Sequence, residues 1–229
     1  MPCAASRIVR AEATPSYEVC FLDAPLLIDP APLQRHLQRR RSLLVTTPTV
    51  ARRYGHQLMD SMRAVGAQID LLALSCDETT KSMAQVNRIC KAALVQDLDR
   101  RGVLISMGGG ICTDLVTVAA SMIRRGIGHV RIPTTLIGQV DAGVGIKGAV
   151  NYQSKKSYLG CFHAPELVLI DPTSLPTLAE RHLLGGLAEI VKMAVVADPE
   201  LFATVERHGP ALIESRFQGP ESVPLEVVQ

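Results

Sequence analysis

Short apolar runs alternate with longer amphipathic stretches along this chain. Runs rich in Leu, Ile and Val occur at Ser42–Thr46, Ile69–Leu74, Val103–Met107, Val130–Ile132 and Leu167–Ile170. Each is bounded by turn residues and too short to be a helix, so each predicts a buried strand. Between them, Val50–Val65, Lys81–Arg100, Asp114–Arg125 and Leu178–Val196 are amphipathic and predict helices. Strands joined by helices of this length pair in parallel through crossovers, which makes the fold class α/β with a parallel sheet. Alternation in Tyr17–Leu22 predicts something different, an antiparallel hairpin strand. No strand pattern follows Asp171, and from Leu178 the chain reads as helical until it turns polar past Pro210. The pattern therefore divides the chain into an α/β domain over residues 1–175 and the incomplete beginning of a helical domain over 176–229. The basic run Arg39-Arg40-Arg41 reads as a solvated helix end.

Composition narrows the function classes. The chain has 229 residues, 47% of them hydrophobic, enough for a substantial core and against disorder. With 24 Lys+Arg against 22 Asp+Glu, binding driven by nucleic-acid phosphates is not expected. Aromatic residues are 3% of the chain and Trp is absent, so stacking platforms for single-stranded nucleic acid are poorly supplied. The longest uncharged run, Gly102–Thr113, falls far short of the ~20 apolar residues of a membrane span. Neither a membrane partner nor a signal peptide is expected, and the predicted location is the cytoplasm. Six widely spaced cysteines without a C-x-x-C pair read as free thiols.

Candidate chemistry gathers in four places. At Val103–Asp114 a buried strand runs through Gly108-Gly109-Gly110 into a helix. Glycines there suit either a tight turn or the close approach of a pyrophosphate to free N–H groups. Asp114 fits either a helix N-cap or a ligand hydroxyl. Thr134 and Thr135 follow the next strand, at the edge where open α/β sheets bind ligands, although an ordinary turn uses the same residues. Asp141, Lys147 and Asn151 share a glycine-rich stretch, with Lys155 and Lys156 close behind. Such a set suits a phosphorylated, polyhydroxylated ligand, or a solvated loop. In the last helix Glu189 and Lys192 stand three residues apart among apolar neighbours. Those neighbours predict a largely buried helix, in which a carboxylate needs a partner or a metal.

In this order, the four motifs resemble the sugar phosphate cyclases, the superfamily of 3-dehydroquinate synthase, over Asp77–Phe202. The resemblance implies a Rossmann-like NAD-binding domain followed by an α-helical metal-binding domain. It assigns Gly109, Gly110, Asp114, Thr134 and Thr135 to NAD, with Glu78 and Lys81 on the adenosine side. Arg125, Asp141, Lys147, Lys156 and Lys192 match substrate-site positions, and Glu189 matches a metal ligand. The metal implied is divalent, zinc or alternatively cobalt. The reaction implied is transient oxidation by NAD, phosphate elimination, re-reduction and intramolecular aldol closure. Asp141-Ala-Gly-Val-Gly-Ile-Lys147, Thr113 and Tyr158-Leu159-Gly160 are more similar to the 2-epi-5-epi-valiolone synthase branch of secondary metabolism. That branch converts sedoheptulose 7-phosphate to a valiolone-type cyclitol. Relatives are commonly homodimers.

Some positions depart from the family. Thr47 and Thr49 replace an Asp and Asn that serve the ribose, and Ser157 replaces Asn. His36, His56, His129, His163, His182 and His208 lie outside the positions of the family's two metal-binding histidines. One carboxylate does not make a zinc site, so the chain is expected to be truncated and weakly active alone. Alternative readings are a 3-dehydroquinate synthase, a non-catalytic NAD-binding remnant and a metal-dependent polyol dehydrogenase.

Overall fold

The structure is a computed structural model that describes residues 16–22 and 24–218. Six parallel strands form the main sheet, in the order β1 (Glu18–Phe21), β8 (Leu167–Ile170), β5 (Gly128–Pro133), β4 (Val103–Gly108), β2 (Arg41–Thr46) and β3 (Gln68–Ala73). Period-two alternation sends Leu43, Val45 and Leu104 to one face, under α4 (Met83–Val95) and α5 (Gly110–Met122). Leu44, Val103 and Ile105 face the other way, against α1 (Ala31–Leu37) and α3 (His56–Ala64). Two covered faces explain why the central strands read as unbroken apolar runs. The helix before β3 is built from α2 (Pro48–Val50), a π turn over Ala51–Gly55, and α3. Thr47 caps its start, its Oγ1 accepting the Val50 N–H at 3.3 Å.

Four expectations change. The Tyr17–Leu22 strand is not a hairpin arm: β1 is a parallel edge strand, with Glu18 opposite Leu167 and Phe21 opposite Ile170. Both faces of β1 are partly covered, Tyr17, Val19 and Phe21 packing on one apolar cluster and Cys20 and Leu22 on another, so its pattern does not report the direction of the partner strand. The glycine-rich stretch and the lysines after it are not a loop throughout. From Lys147 onward they form an antiparallel hairpin, β6 (Lys147–Tyr152) and β7 (Lys155–Phe162), laid across α5, while Asp141–Ile146 stay in turns and bends before it. Nor is the arginine run a solvated helix end, because α1 stops at Leu37. Arg40 donates to both oxygens of Glu166, at 2.6 and 3.0 Å, and to the Arg101 carbonyl at 2.7 Å.

The fourth change concerns the last helices, α6 (Glu180–Ala197) and α7 (Pro199–Glu214). Asp198 caps α7, accepting the N–H groups of Glu200 and Leu201, both at 3.0 Å. Leu183 and Ile190 of α6 pack with Val168, Ile170 and Leu136 in a third apolar cluster. Yet Leu184, Val195 and Val196 are 48, 65 and 80% exposed, so α6 is amphipathic and not largely buried. Within the described residues the sheet and α7 cover only one side of it. No helix there is long and apolar enough to cross a membrane. Cys20, Cys76, Cys90, Cys112 and Cys161 are free thiols; Cys3 and Gly219-Pro220-Glu221 lie outside the described residues.

Candidate active site

The site is built at the carboxyl edge of the sheet, where β4 and β5 hand over to α5 and to the Gly138–Ala142 turn. Gly109 is the N-cap of α5 and offers no side chain to its free N–H groups. A Cβ on Gly109 would lie 3.1 Å from Thr135 Cγ2, and one on Gly110 would lie 3.1 Å from Ala142 Cβ. A side chain at either position would crowd the cradle, which glycine leaves open to an incoming group. The Thr134 N–H donates to the Gly108 carbonyl at 2.9 Å, locking the two loops together. Thr135 Oγ1 accepts the Gly138 N–H at 3.2 Å and so shapes the turn that carries Asp141. An uncapped helix start framed by glycines and hydroxyls fits a dinucleotide's pyrophosphate.

Beside this cradle lies a cavity of about 480 Å³ lined by Asp114, Asp141, Lys147, Ser157, Cys161 and Phe162 among others. Asp114 is not an N-cap but sits one turn inside α5. Its carboxylate pairs with Lys81 Nζ at 2.6 Å and accepts the Ala149 N–H at 3.2 Å. Lys81 is only 7% exposed and also donates to Ser157 Oγ at 3.1 Å. Burial pushes the Asp114 pKa up, against the opposing pull of Lys81. The pair therefore ties α5 to the segment before α4 and to β7.

The other sequence candidates separate into three groups. Glu78 and Lys156 occupy an exposed rim, 3.8 Å apart, where Asn151 donates to Glu78 Oε1 at 2.9 Å and lowers its pKa. Glu189 and Lys192 form an ion pair on α6, with the carboxylate half-buried and the ammonium exposed. That helix packs on the Gly138–Ala142 turn, which holds the pair at the same end of the sheet. Among the described residues no three His, Cys, Asp or Glu side chains gather as a metal site, so those residues alone do not fit a metal centre. Arg125 is not brought to the cluster. It is exposed at the end of α5, and α5 runs back to the amino end of β5, so Arg125 lies at the opposite edge.

Sequence reasoning passed over Arg131. It is fully buried in β5, and its guanidinium donates to backbone carbonyls of the segment joining Asp141 to Lys147. Burial lowers its pKa to about 10, opposed by the negative charge of Asp114. A signal existed, since an arginine inside a short strand read as buried must find partners.

Comparisons with known proteins agree with this geometry. The family described as 3-dehydroquinate synthase N-terminal matches residues 71–185. The 2-epi-5-epi-valiolone synthase of Streptomyces hygroscopicus subsp. jinggangensis is 42% identical over 213 residues, 90% of this chain and 51% of that protein. The 3-dehydroquinate synthase of Zymomonas mobilis is 39% identical over 182 residues, 80% of this chain and 48% of that protein. A solved structure of the Streptomyces enzyme, with NAD+ and Zn2+ bound, superposes with a TM-score of 0.89 at 41% identity, covering 96% of this chain and 60% of that one. The chain thus spans about half the length of the curated relatives it matches. With the match extending from β3 past β8 and holding the glycine cradle, both threonines and the Asp141–Lys147 segment, the chain belongs to the 3-dehydroquinate synthase N-terminal family.

Proposed function

We propose that this chain provides the NAD site and part of the substrate site of a sugar phosphate cyclase acting on sedoheptulose 7-phosphate to form a valiolone-type cyclitol. The observation that carries this reading is the joint presence of Asp141 and Lys147 on one cavity beside the glycine cradle. A lysine ammonium suits a phosphate and a carboxylate suits hydroxyls, a combination that a simple polyol substrate does not require. NAD, when bound, supplies reversible oxidation of a secondary alcohol. The free N–H groups at the start of α5 would hold its pyrophosphate, and Glu78 on the rim, with the buried Lys81 behind it, would flank its adenosine side. Asp141 would accept hydrogen bonds from substrate hydroxyls, while Lys147 and Lys156 would neutralise the phosphate. We place the boundary between the nucleotide-binding unit and the helical unit near residue 175. Glu189 would offer one carboxylate to a divalent ion, zinc as in the Streptomyces neighbour or cobalt; no step is assigned to that ion.

Titration of the purified chain with NAD and then with sedoheptulose 7-phosphate tests the reading. We expect both to bind, and Lys147→Ala to weaken the sugar phosphate at least about tenfold while leaving NAD within about threefold. Turnover by this chain alone should be weak or absent, and any phosphate released in the presence of zinc should come without net NADH. Accumulating NADH would instead mark a polyol dehydrogenase, and NAD binding without sugar phosphate binding would mark a nucleotide-binding module.

A further inference from the structure

Arg131 is an expensive residue to place where it stands. It belongs to an interior strand, is fully buried, and every hydrogen bond of its guanidinium goes to a carbonyl or a hydroxyl. A cation without a carboxylate in hydrogen-bond contact carries a desolvation cost that an apolar residue of similar volume would avoid. Its partners show what that cost secures. Nη1 donates to the carbonyl of Gly143 at 3.2 Å, reaches that of Ala142 at 3.5 Å, and contacts that of Gly145. Nη2 donates to Thr117 Oγ1 at 3.0 Å and to the Lys147 carbonyl at 3.4 Å. The Val144 carbonyl, which Arg131 does not meet, accepts the Tyr17 hydroxyl at 2.6 Å. The segment between the Gly138–Ala142 turn and β6 thus has its carbonyls held largely by side chains rather than by a strand ladder or a helix.

We propose that Arg131 is a positioning residue, whose planar fork sets the path of residues 142–147 and thereby aims Asp141 and Lys147 into one cavity. The ligand consequence rests on the sugar phosphate reading above; the positioning itself does not. Arginine suits the task because its donors are fixed in one plane and reach several carbonyls at once. Lysine, a point charge with three donors, cannot span the same set. Thr117 orients the guanidinium from α5, and Thr117 Oγ1 in turn donates to the Thr113 carbonyl at 2.8 Å. The guanidinium is therefore also anchored to a helix outside the segment it holds.

Amide hydrogen exchange and ligand titration on the full chain test this directly. In Arg131→Met, exchange at residues 143–147 should rise about tenfold or more, with β2 and β4 unchanged. Affinity for inorganic phosphate should fall about tenfold and NAD affinity should stay within about threefold. Arg131→Lys, which keeps the charge and fewer of the bonds, should fall between wild type and Arg131→Met, and it decides the matter if the methionine variant does not fold. Unchanged exchange at 143–147 would overturn the proposal. So would exchange rising in step across β2 and β4, or phosphate and NAD weakening equally, since either denotes general loss of structure. If the wild-type chain binds no phosphate, the sugar phosphate reading falls, and the exchange measurement still decides the role of Arg131.

Discussion

Among the ionisable side chains, Lys81 is one whose removal should be felt strongly. It is 7% exposed and holds Asp114 at 2.6 Å, in a carboxylate whose side chain is itself only 23% exposed. Lys81→Met would leave that carboxylate with the Ala149 N–H alone, and stability in urea should fall by about 2 kcal/mol. Replacing both partners, Lys81→Met with Asp114→Leu, should recover much of the loss, because no uncompensated charge is then left behind. If the double variant is no more stable than Lys81→Met, the pair is not what links α5 to the residues before α4. The spacing along the chain announces neither this pairing nor the grip of Arg131. Lys81 and Asp114 are each legible as candidates, but their contact depends on where the α4 and α5 crossovers set them down.

At the scale of elements, the hairpin of β6 and β7 shows most clearly where pattern reading runs out. All five apolar runs correspond to strands because both faces of the sheet are covered there. The hairpin leaves β7 exposed along nearly its whole length, so it has no apolar face to advertise. Its turn is also disguised. Gln153 and Ser154 take φ of 43° and 64°, a two-residue connection that favours Asn-Gly. Gln153→Asn with Ser154→Gly should therefore stabilise the protein by about 1 kcal/mol, read as a higher urea midpoint with an unchanged slope. The glycine cradle, Thr134, Thr135 and the Asp141–Lys147 segment were legible because each marks itself by residue type close to a strand end. Arg125 entered only through resemblance, and the return path of α5 carries it away from them.

Across the whole molecule, charge fastens the edge of the sheet opposite the site. Glu166, just before β8, accepts from His36 Nε2 at 2.7 Å and from the Arg40 fork, joining the end of α1 and the start of β2 to the chain entering β8. The His36 hydrogen bond, followed by the Arg40 contacts, lowers the Glu166 pKa from 4.5 to about 2. A carboxylate depressed on folding stabilises fully above its unfolded value, and the effect is lost as pH falls from 4.5 toward about 2. Because 38% of its side chain is exposed, solvent screening limits the contribution to about 1 kcal/mol. Glu166→Gln should lower stability at neutral pH by that amount and flatten the curve across this acid window. A slope over the window identical to wild type would show that other groups govern it.

The parallel edge pairing of β1 with β8 also has a temporal side. Leu26, just past β1, donates its N–H to Asp171 Oδ2 at 2.8 Å across 145 positions of sequence. At a synthesis rate of about 5–20 residues per second, the partner of β1 is made some ~7–30 s after β1 itself. During that interval β1, the earliest of the described strands, has no partner among them to bond, while β2, β3, β4 and β5 can assemble in turn. Among the described strands, the earliest made is thus the last to pair, and it does so only once β8 has emerged.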